Sequence, residues 1–456
     1  SLASAEQFKK VGNIIRKEES RRYVIPSAPG KRTPDDTKVT DMLYSCYGQA
    51  ILGEDAERDF EEQLEAIKER YNSIIRGLNL DLSLDEEFKT IRTNFSKKIG
   101  RDYAASRGEY LNGIIMAAYL GYEFIDAAEV IVFDENGDFD GDETHKILSE
   151  RLENTERAVI PGFYGAKPDG SIQTFSRGGS DITGSIVAKA VHADMYENWT
   201  DVSGFLIADP RIIKNPKPID VITYRELREL SYMGATVLHE DAIFPVRKEG
   251  IPINIRNTNA PEDKGTLIVE DTCRKPRFTI TGIAGKKDFA SITIEKAMMN
   301  SEVGFCRKVL EFAVLNIEKA MMNAEIGFGR RVLGVFEENG ISFEHMPSGI
   351  DTMTIFVHRD EFEEKEQDVI AGIHRAVEPD FLELESDLAL IAVVGRGMRA
   401  TRGTSGRIFA ALAHANVNVK MIDQGSSELN IIIGVANEDF ETAIKAIYDI
   451  FVLARL

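Results

Sequence analysis

Short runs rich in β-branched and aromatic residues alternate with amphipathic helical patterns between residues 22 and about 270, and this alternation strongly constrains the fold. Strands are predicted at RYVIPSA, EVIVFDENG, RAVIPGFYG and IPINIRNT, with helices between them. Such alternation is typical of the α/β class, in which an open, mostly parallel sheet carries helices on both faces. Ligands of these sheets bind where strands end and glycine-bearing loops begin. We therefore expect a site near SAPGK (residues 27–31), GFYG (162–165) and SRGGSD (176–181).

After about residue 276 the pattern changes to two similar modules, each with a strand, a loop, a helix, a turn and an alternating strand pair. A shift of 76 residues aligns NGISFEHMPSGIDTMTI (339–355) with ANVNVKMIDQGSSELNI (415–431). Inside the first module, residues 289–310 recur 23 residues later as residues 312–333, with most positions identical. One module requires only one such strand, loop and helix, so we interpret the pair as a tandem duplication. The sequence leaves open which copy belongs to the fold.

Length and composition exclude several classes of protein. A chain of 456 residues exceeds the usual size of one domain and predicts two or three. No apolar run approaches the roughly 20 residues of a membrane span, and a net charge of -20 disfavours nucleic acid as a partner. The three cysteines lie far apart without a CxxC pair, which argues against a structural zinc and against disulfides. The N-terminal residues lack a secretory pattern, so we expect a cytoplasmic protein without membrane or nucleic-acid partners.

The segment SRGGSD combines features that suit a zwitterion. Its glycines allow a ligand to approach backbone N–H groups at the positive end of a helix that begins there. Arg177 carries a planar fork suited to a carboxylate, and Asp181 can accept from an ammonium group. The alternative is an ordinary helix cap in which Arg177 and Asp181 pair with each other.

Two further segments hold candidate polar residues. Glu109 of SRGEYLNG is predicted to open a helix and is a possible second ammonium acceptor, although the spacing alone favours a first-turn glutamate on the helix dipole. In WTDVSGFLIADPR, a nucleotide groove and ordinary turn chemistry both remain open. The candidate residues there are Thr200, Asp201, Gly204, Asp209 and Arg211.

Familiar phosphate and metal motifs are absent or incomplete. The chain has neither a GxxxxGK[ST] loop nor a paired HRD and DFG. The acidic run at 134–143 resembles a calcium loop, but Ile147 occupies the position of the bidentate glutamate, so we interpret the run as a solvated turn. His239 is interpreted as a hydrogen-bonded structural histidine rather than a catalytic one.

Ten segments, in this order, resemble aspartate kinases, which are amino acid kinases with two C-terminal ACT modules. They are SAPGK, KVTD (38–41), SRGE (106–109), GFYG, FSRGGSDITG (175–184), WTDVSG, ADPR (208–211), GATVLHED (234–241), EHMPSGID (344–351) and QGSSELN (424–430). The resemblance implies an amino acid kinase fold over residues 1–276, followed by ferredoxin-like βαββαβ ACT domains at 277–384 and 385–456. One ACT domain nested in the other is the alternative.

The resemblance implies ATP-dependent phosphorylation of the side-chain carboxylate of L-aspartate, the entry to lysine, threonine, methionine and isoleucine synthesis. Phosphoryl transfer requires in-line positioning and cations that offset charge on the γ-phosphoryl group, which Mg²⁺ and lysines usually supply. The family's KFGG lysine has no counterpart from Ser1 onward, and Thr236 stands where the family often has a lysine. The alternative is therefore an amino-acid sensor with impaired catalysis on the same scaffold. A kinase for glutamate or a carbamate is more remote.

The resemblance also assigns residues. Arg177 and Asp181 are the candidate catalytic residues, with Arg177 on the α-carboxylate and Glu109 and Asp181 near the ammonium group. The aspartate pocket is completed by Ser27, Thr40, Gly179 and Ser180, and the ATP site comprises Thr200, Asp201, Gly204, Asp209, Arg211 and Thr236.

Lysine, threonine or both are the implied feedback effectors, bound at ACT interfaces of a homodimer or homotetramer. The implied effector residues are Met322, Asn323, Ile326, Gly327 and Phe328, facing Ser342, Phe343 and Glu344. The duplicate set Met299, Asn300, Val303, Gly304 and Phe305 competes for this role. The alternative is that the modules only dimerise the protein.

Overall fold

The computed structural model describes residues 2–176, 179–235, 238, 240–291, 315–318 and 326–454. It divides into two compact units. The N-terminal unit comprises Ser1–Phe205, Pro218–Arg225 and Thr236–Cys273, and the C-terminal unit comprises Leu206–Lys217, Glu226–Ala235 and Arg274–Leu456. In the described part of the chain, no helix has both the length and the apolar character needed to cross a membrane.

Helices dominate the first half of the chain. Ten helices precede residue 250 in the described ranges: α1 (Ala5–Lys17), α2 (Val39–Leu52), α3 (Glu57–Leu78), α4 (Asp85–Ser96), α5 (Arg101–Leu120), α6 (Ala127–Val130), α7 (Gly141–Glu153), α8 (Gly179–Ala190), α9 (Tyr224–Tyr232) and α10 (Glu240–Lys248). Side-chain caps stabilise the starts of α1 and α7. The Ser4 side chain accepts from the Gln7 N–H at the start of α1, and Asp140 accepts from the Glu143 N–H at the start of α7.

The strands of the N-terminal unit are short. They are β1 (Tyr23–Val24), β2 (Glu123–Phe124), β3 (Ala158–Val159), β4 (Tyr164–Ala166), β5 (Ile172–Thr174), β6 (Tyr196–Thr200), β7 (Val221–Thr223), β8 (Ile253–Asn257) and β9 (Thr266–Val269). One sheet has the order β1-β3-β2 with parallel pairs, and a second has the order β6-β8-β9-β7 with only the β8–β9 pair antiparallel. The prediction of a mostly parallel α/β fold is confirmed.

Two local predictions in this unit are wrong. In EVIVFDENG, Glu129 and Val130 close the short helix α6, and only isolated bridges at Val132 and Phe133 follow. Asp126 caps this helix by accepting from the Ala128 N–H, which competes with an extended backbone. Glu109 does not open a helix, because α5 begins at Arg101 and continues for a full two turns before it. The acidic run at 134–143 does form a turn, in which an Asp134 carboxylate oxygen accepts from the Asp138 N–H.

The hydrophobic core that borders the candidate site is formed mainly by α1 to α5. Phe8, Tyr71 and Phe95 are among its largest enclosed side chains, and the edge-to-face pair of Tyr47 and Phe95 has ring centroids 5.3 Å apart. Nearly every face of α5 is buried, including polar positions. A helix buried on all sides is a rigid support for any functional group that it carries.

The C-terminal unit contains one seven-stranded sheet. Its strands are β10 (Gly282–Ser291), β11 (Leu315–Glu318), β12 (Phe343–His345), β13 (Thr352–His358), β14 (Phe381–Val394), β15 (Met421–Asp423) and β16 (Asn430–Ala436), in the order β10-β13-β11-β14-β16-β15 with β12 beside β13. Its later helices are α11 (Phe328–Glu338), α12 (Arg359–Phe362), α13 (Glu366–Val377), α14 (Thr404–His414) and α15 (Phe440–Tyr448). All pairings within this sheet are antiparallel.

The internal repeat corresponds to repeated structure. Gly327 and Gly403 are separated by the predicted offset, and both adopt left-handed backbone, with φ of 80° and 79°, immediately before α11 and α14. Strand β11 and the start of α11 come from the second copy of the shorter duplication. Most of the first copy, including residues 299–305, lies outside the described residues. The second copy therefore supplies the described strand and helix.

A buried acidic side chain ties α9 to this sheet. Glu226 is fully enclosed, and its Oε1 accepts from the Thr281 hydroxyl at 2.6 Å and from the Arg396 N–H at 2.8 Å. The Arg396 Nη1 donates to its second oxygen at 2.9 Å. Because a buried carboxylate is stable only when it is paired and hydrogen-bonded, this set of bonds is what permits Glu226 at that depth.

Candidate active site

Helix α5 meets the SAPGK loop through a glycine. A Cβ added at Gly108 would lie 2.8 Å from the Ala28 Cβ and 3.8 Å from the Thr40 Oγ1, so only a glycine permits this approach. Thr40 lies in the first turn of α2. The loop and the two helices are thereby held together around Glu109, the next residue of α5.

Glu109 is a buried carboxylate without a full set of partners. Only 7% of the residue is exposed, and its Oε2 has no hydrogen-bond partner among the residues that the structure describes. Burial raises its pKa from the usual value to about 7, against the opposing effect of backbone hydrogen bonds from Ala28 and from its own N–H. An enclosed, unpaired acceptor of this kind suits a cationic group of a ligand.

The loop GFYG packs against the start of α8. A Cβ added at Gly162 would lie 2.4 Å from the Ser180 Cβ and 2.6 Å from its Cα, so nothing larger than glycine fits. The Ser180 Oγ is buried, and within the described ranges it has no hydrogen-bond partner. The Gly162 N–H donates to the Pro26 carbonyl at 3.4 Å, which links this loop to the SAPGK loop. The three loops singled out in the sequence thus meet at one place.

The first turn of α8 has the predicted form. Helix α8 begins at Gly179, whose φ of 48° is left-handed. An Asp181 side-chain oxygen accepts from the Asn198 Nδ2 at 2.8 Å, and the Asp181 carbonyl accepts from the Tyr196 hydroxyl at 3.3 Å. Arg177 and Gly178 lie outside the described residues, so a pairing of Arg177 with Asp181 is neither supported nor opposed.

Replacing Gly162 by alanine is expected to displace the first turn of α8, since a close backbone contact must open. Binding of L-aspartate, the substrate that the sequence resemblance implies, is expected to weaken by about tenfold. Calorimetric titration with L-aspartate measures this change. Gly48→Ala in α2 is the matched control, because a Cβ there meets nothing within 4 Å. Equal affinities of the Gly162 variant and the wild-type protein would contradict the assigned pocket.

The candidate nucleotide-binding residues are divided between the two units. Thr200, Asp201 and Gly204 belong to the N-terminal unit, and Asp209 and Arg211 belong to the C-terminal unit. Thr200 ends β6, with its hydroxyl 3.2 Å from an Asp201 carboxylate oxygen, and its carbonyl accepts from the Thr258 hydroxyl at 3.0 Å. Gly204 has a left-handed φ of 96° and packs against Thr266.

In the C-terminal unit, Arg211 donates through its backbone N–H and guanidinium to Asp209, at 2.8 and 3.0 Å respectively. These hydrogen bonds, together with the Arg211 charge, lower the Asp209 pKa. Thr236 and His239 lie outside the described residues.

The candidate effector residues are described only in part. Met322 and Asn323 lie outside the described residues. Ile326 is 96% exposed, Gly327 precedes α11, and Phe328 is buried.

The other side of the expected effector site lies at β12. The Ser342 N–H donates to a Glu361 oxygen at 3.4 Å, and Phe343 is largely exposed. A Glu344 oxygen lies 2.8 Å from the His358 Nε2. Burial opposes ionisation of Glu344, but hydrogen bonds from His358 and Tyr232 outweigh it and lower the pKa.

Sequence reasoning missed three residues that contact the candidate site residues. Asn112 and Asn198 are buried, and they bond to the Ser27 carbonyl and to Asp181 respectively, while Tyr196 bonds to the Asp181 backbone. Asn112 could have been found, because it lies on the same helix face as Glu109. Nothing local in the sequence indicates that Asn198 faces α8.

Comparison with known proteins identifies the family. Residues 1–257 match the family model described as the amino acid kinase family, and residues 391–451 match that of an ACT domain. Aspartokinase 3 of Bacillus subtilis is 39% identical over 99% of this chain and 96% of its own length. The chain belongs to the amino acid kinase family and, within it, to the aspartate kinases.

Solved structures agree with this assignment. The crystal structure of the Clostridium acetobutylicum aspartate kinase has a TM-score of 0.84 at 49% identity, covering 99% of this chain and 97% of that one. The aspartokinase III of E. coli, solved with aspartate and ADP, shares the fold with a TM-score of 0.69 at 21% identity, covering 99% and 97%. The predicted fold class, an amino acid kinase domain followed by ACT structure, is confirmed.

Proposed function

We propose that this chain transfers the γ-phosphoryl group of ATP to the side-chain carboxylate of L-aspartate, giving 4-phospho-L-aspartate and ADP. The observation that carries the site assignment is the buried Glu109, whose Oε2 has no partner among the described residues. Glu109 lies on the helix that packs against the SAPGK loop, and this loop is linked through GFYG to the start of α8. Membership of the aspartate kinases supports the substrate.

The chain's own residues bind and orient the substrate. Glu109 accepts from the α-ammonium group, and Arg177 with the N–H groups at the start of α8 binds the α-carboxylate. Held by both ends, aspartate presents its side-chain carboxylate to the nucleotide. One carboxylate oxygen bonds to the γ-phosphorus while the bond to the bridging oxygen of ADP breaks, and no proton is transferred.

Phosphoryl transfer also requires positive charge close to the γ-phosphoryl group of ATP. Among the described residues, no group of three or more His, Cys, Asp or Glu side chains is arranged to hold a metal ion. Magnesium commonly binds through substrate phosphates with one or two carboxylates, so Mg²⁺ would enter with ATP and would supply positive charge at its phosphates. Thr200, Asp201, Gly204, Asp209, Arg211 and Thr236 are the proposed nucleotide contacts.

We assign regulation to the ACT structure. Lysine, threonine or both bind near Ile326 to Phe328 and Ser342 to Glu344, with Met322 and Asn323 contributing, in a cytoplasmic homodimer or homotetramer. The aspartate kinase of C. acetobutylicum is an allosteric enzyme, and the E. coli aspartokinase III was solved with lysine and aspartate, which supports this assignment by family.

Trapping the acyl phosphate as a hydroxamate tests the reaction. Full-length protein with ATP and L-aspartate is expected to form hydroxamate, whereas the L-glutamate control is expected to form none. No product above that control contradicts the kinase proposal. Aspartate binding without product would instead favour the amino-acid sensor, for which Thr236 in place of a lysine is the supporting observation.

A further inference from the structure

Asn112 is a fully buried polar side chain beside the aspartate pocket. It lies one turn beyond Glu109 on α5, and its Nδ2 donates to the Ser27 carbonyl at 2.6 Å. The orientation of the amide is fixed, because a carbonyl oxygen can only accept a hydrogen bond. The Asn112 Oδ1 therefore faces away from Ser27, and it is buried without a hydrogen-bond partner in the described part of the chain.

The peptide group between Ser27 and Ala28 also borders Glu109. The carbonyl of Ser27 and the N–H of Ala28 belong to one planar unit, and this N–H stabilises the charged form of the Glu109 carboxylate. A Cβ added at Gly108, the residue before Glu109, would lie 2.8 Å from the Ala28 Cβ, so α5 is in close contact with this peptide. Glu109 and Asn112, three residues apart on one face of α5, thus both face the same peptide group.

We propose that Asn112 is a positioning residue, which fixes the plane of the peptide between Ser27 and Ala28 and thereby orients the Glu109 carboxylate towards the aspartate ammonium group. This inference rests on the proposed function. The unpaired Oδ1 is unfavourable for stability, so packing alone does not explain an asparagine at this position. Placement of a charged acceptor within a fraction of an ångström is what binding of an ammonium group requires.

The position of the peptide also affects the charge state of Glu109. The Ala28 N–H stabilises the ionised carboxylate and opposes the effect of burial on its pKa. The titratable groups from neighbouring helices that sense this carboxylate are Tyr44 of α2 and Tyr71 of α3, and burial raises the pKa of both phenols, so they stay neutral near pH 7. The Tyr71 hydroxyl donates to the Gly108 carbonyl at 2.8 Å.

The variant Asn112→Leu tests the proposal, since leucine has a similar volume and no donor. Titration calorimetry on the full-length protein from about pH 6 to about pH 9 gives the dissociation constants of L-aspartate and of a non-hydrolysable ATP analogue. We expect aspartate affinity to fall by about tenfold or more at pH 8, with nucleotide affinity changed less than about twofold. The midpoint of the pH dependence of aspartate binding is expected to move to higher pH.

Thr144→Val is the matched control. Thr144 is also fully buried, and its hydroxyl accepts from the Val132 N–H at 2.9 Å, away from the assigned pocket. The Thr144→Val variant is expected to lose thermal stability, whereas its affinity for aspartate and the pH midpoint of aspartate binding are expected to stay unchanged. Should Asn112→Leu fail to fold, as judged by circular dichroism, Asn112→Ala replaces it.

The outcomes separate this inference from the function on which it rests. An Asn112 variant with wild-type aspartate affinity, with equal losses for both ligands, or with an unmoved pH midpoint overturns the positioning role. A wild-type protein that does not bind aspartate overturns the proposed function instead.

Discussion

Replacing Arg177 by alanine is expected to weaken aspartate binding by about a hundredfold or more, with a much smaller change for ATP. A planar guanidinium can bond to both oxygens of the α-carboxylate, and each charge-assisted bond contributes about 1.5 to 3 kcal/mol. KM values for both substrates, or dissociation constants where turnover is slow, measure the effect.

Arg58→Ala is the control for this prediction, because that arginine lies on the exposed face of α3, where it pairs with Glu62. Equal losses of affinity for aspartate and ATP in the Arg177 variant would mean that Arg177 does not bind the α-carboxylate of the amino acid. The prediction derives from the sequence, since Arg177 lies outside the described residues.

Replacing Glu109 by glutamine is expected to weaken aspartate binding by about 10-fold to 100-fold and, at the same time, to stabilise the ligand-free protein at pH 8. The pKa of Glu109 is about 7 in the folded protein and near 4.5 in the unfolded chain. The stability associated with the protonated group is fully present below pH 4.5 and is lost as pH rises through about 7. Glutamine stays neutral, so the gain in unfolding free energy is about 3 kcal/mol at pH 8 and about zero at pH 4.

Urea unfolding at these two pH values measures the stability change, and calorimetry measures binding. Glu65→Gln, an exposed position on α3, is expected to change neither. Wild-type aspartate binding should weaken below about pH 7, since a protonated Glu109 cannot accept from the ammonium group as a charge. A stability difference between the Glu109→Gln variant and the wild-type protein that is the same at both pH values would contradict a buried, ionisable carboxylate.

The sequence predicted those features that local chemistry encodes. Helix α8 begins among the glycines and serine of SRGGSD, and β6 ends at Thr200, because capping residues and turn glycines act over a few positions. The offset between the two modules could be predicted from the sequence, because equivalent glycines with left-handed backbone recur before equivalent helices.

Features that depend on distant packing were not predictable. The run EVIVFDENG is apolar enough for a strand, and short apolar runs do not distinguish strand from helix. The depth of Glu109 depends on how α5 packs among its neighbours, and the Asn112 bond to Ser27 joins residues that are 85 positions apart. No local pattern encodes either relation.

Strand β14 has a consequence for how the ACT modules can be divided. Its first residues pair with β11, its last with β16, and β10 lies along most of its length. The expected boundary between residues 384 and 385 thus cuts a continuous strand rather than a linker. A fragment ending there would expose unpaired backbone N–H and C=O groups, so it would be prone to self-association. Because the two modules share this strand, neither can be exchanged without the other.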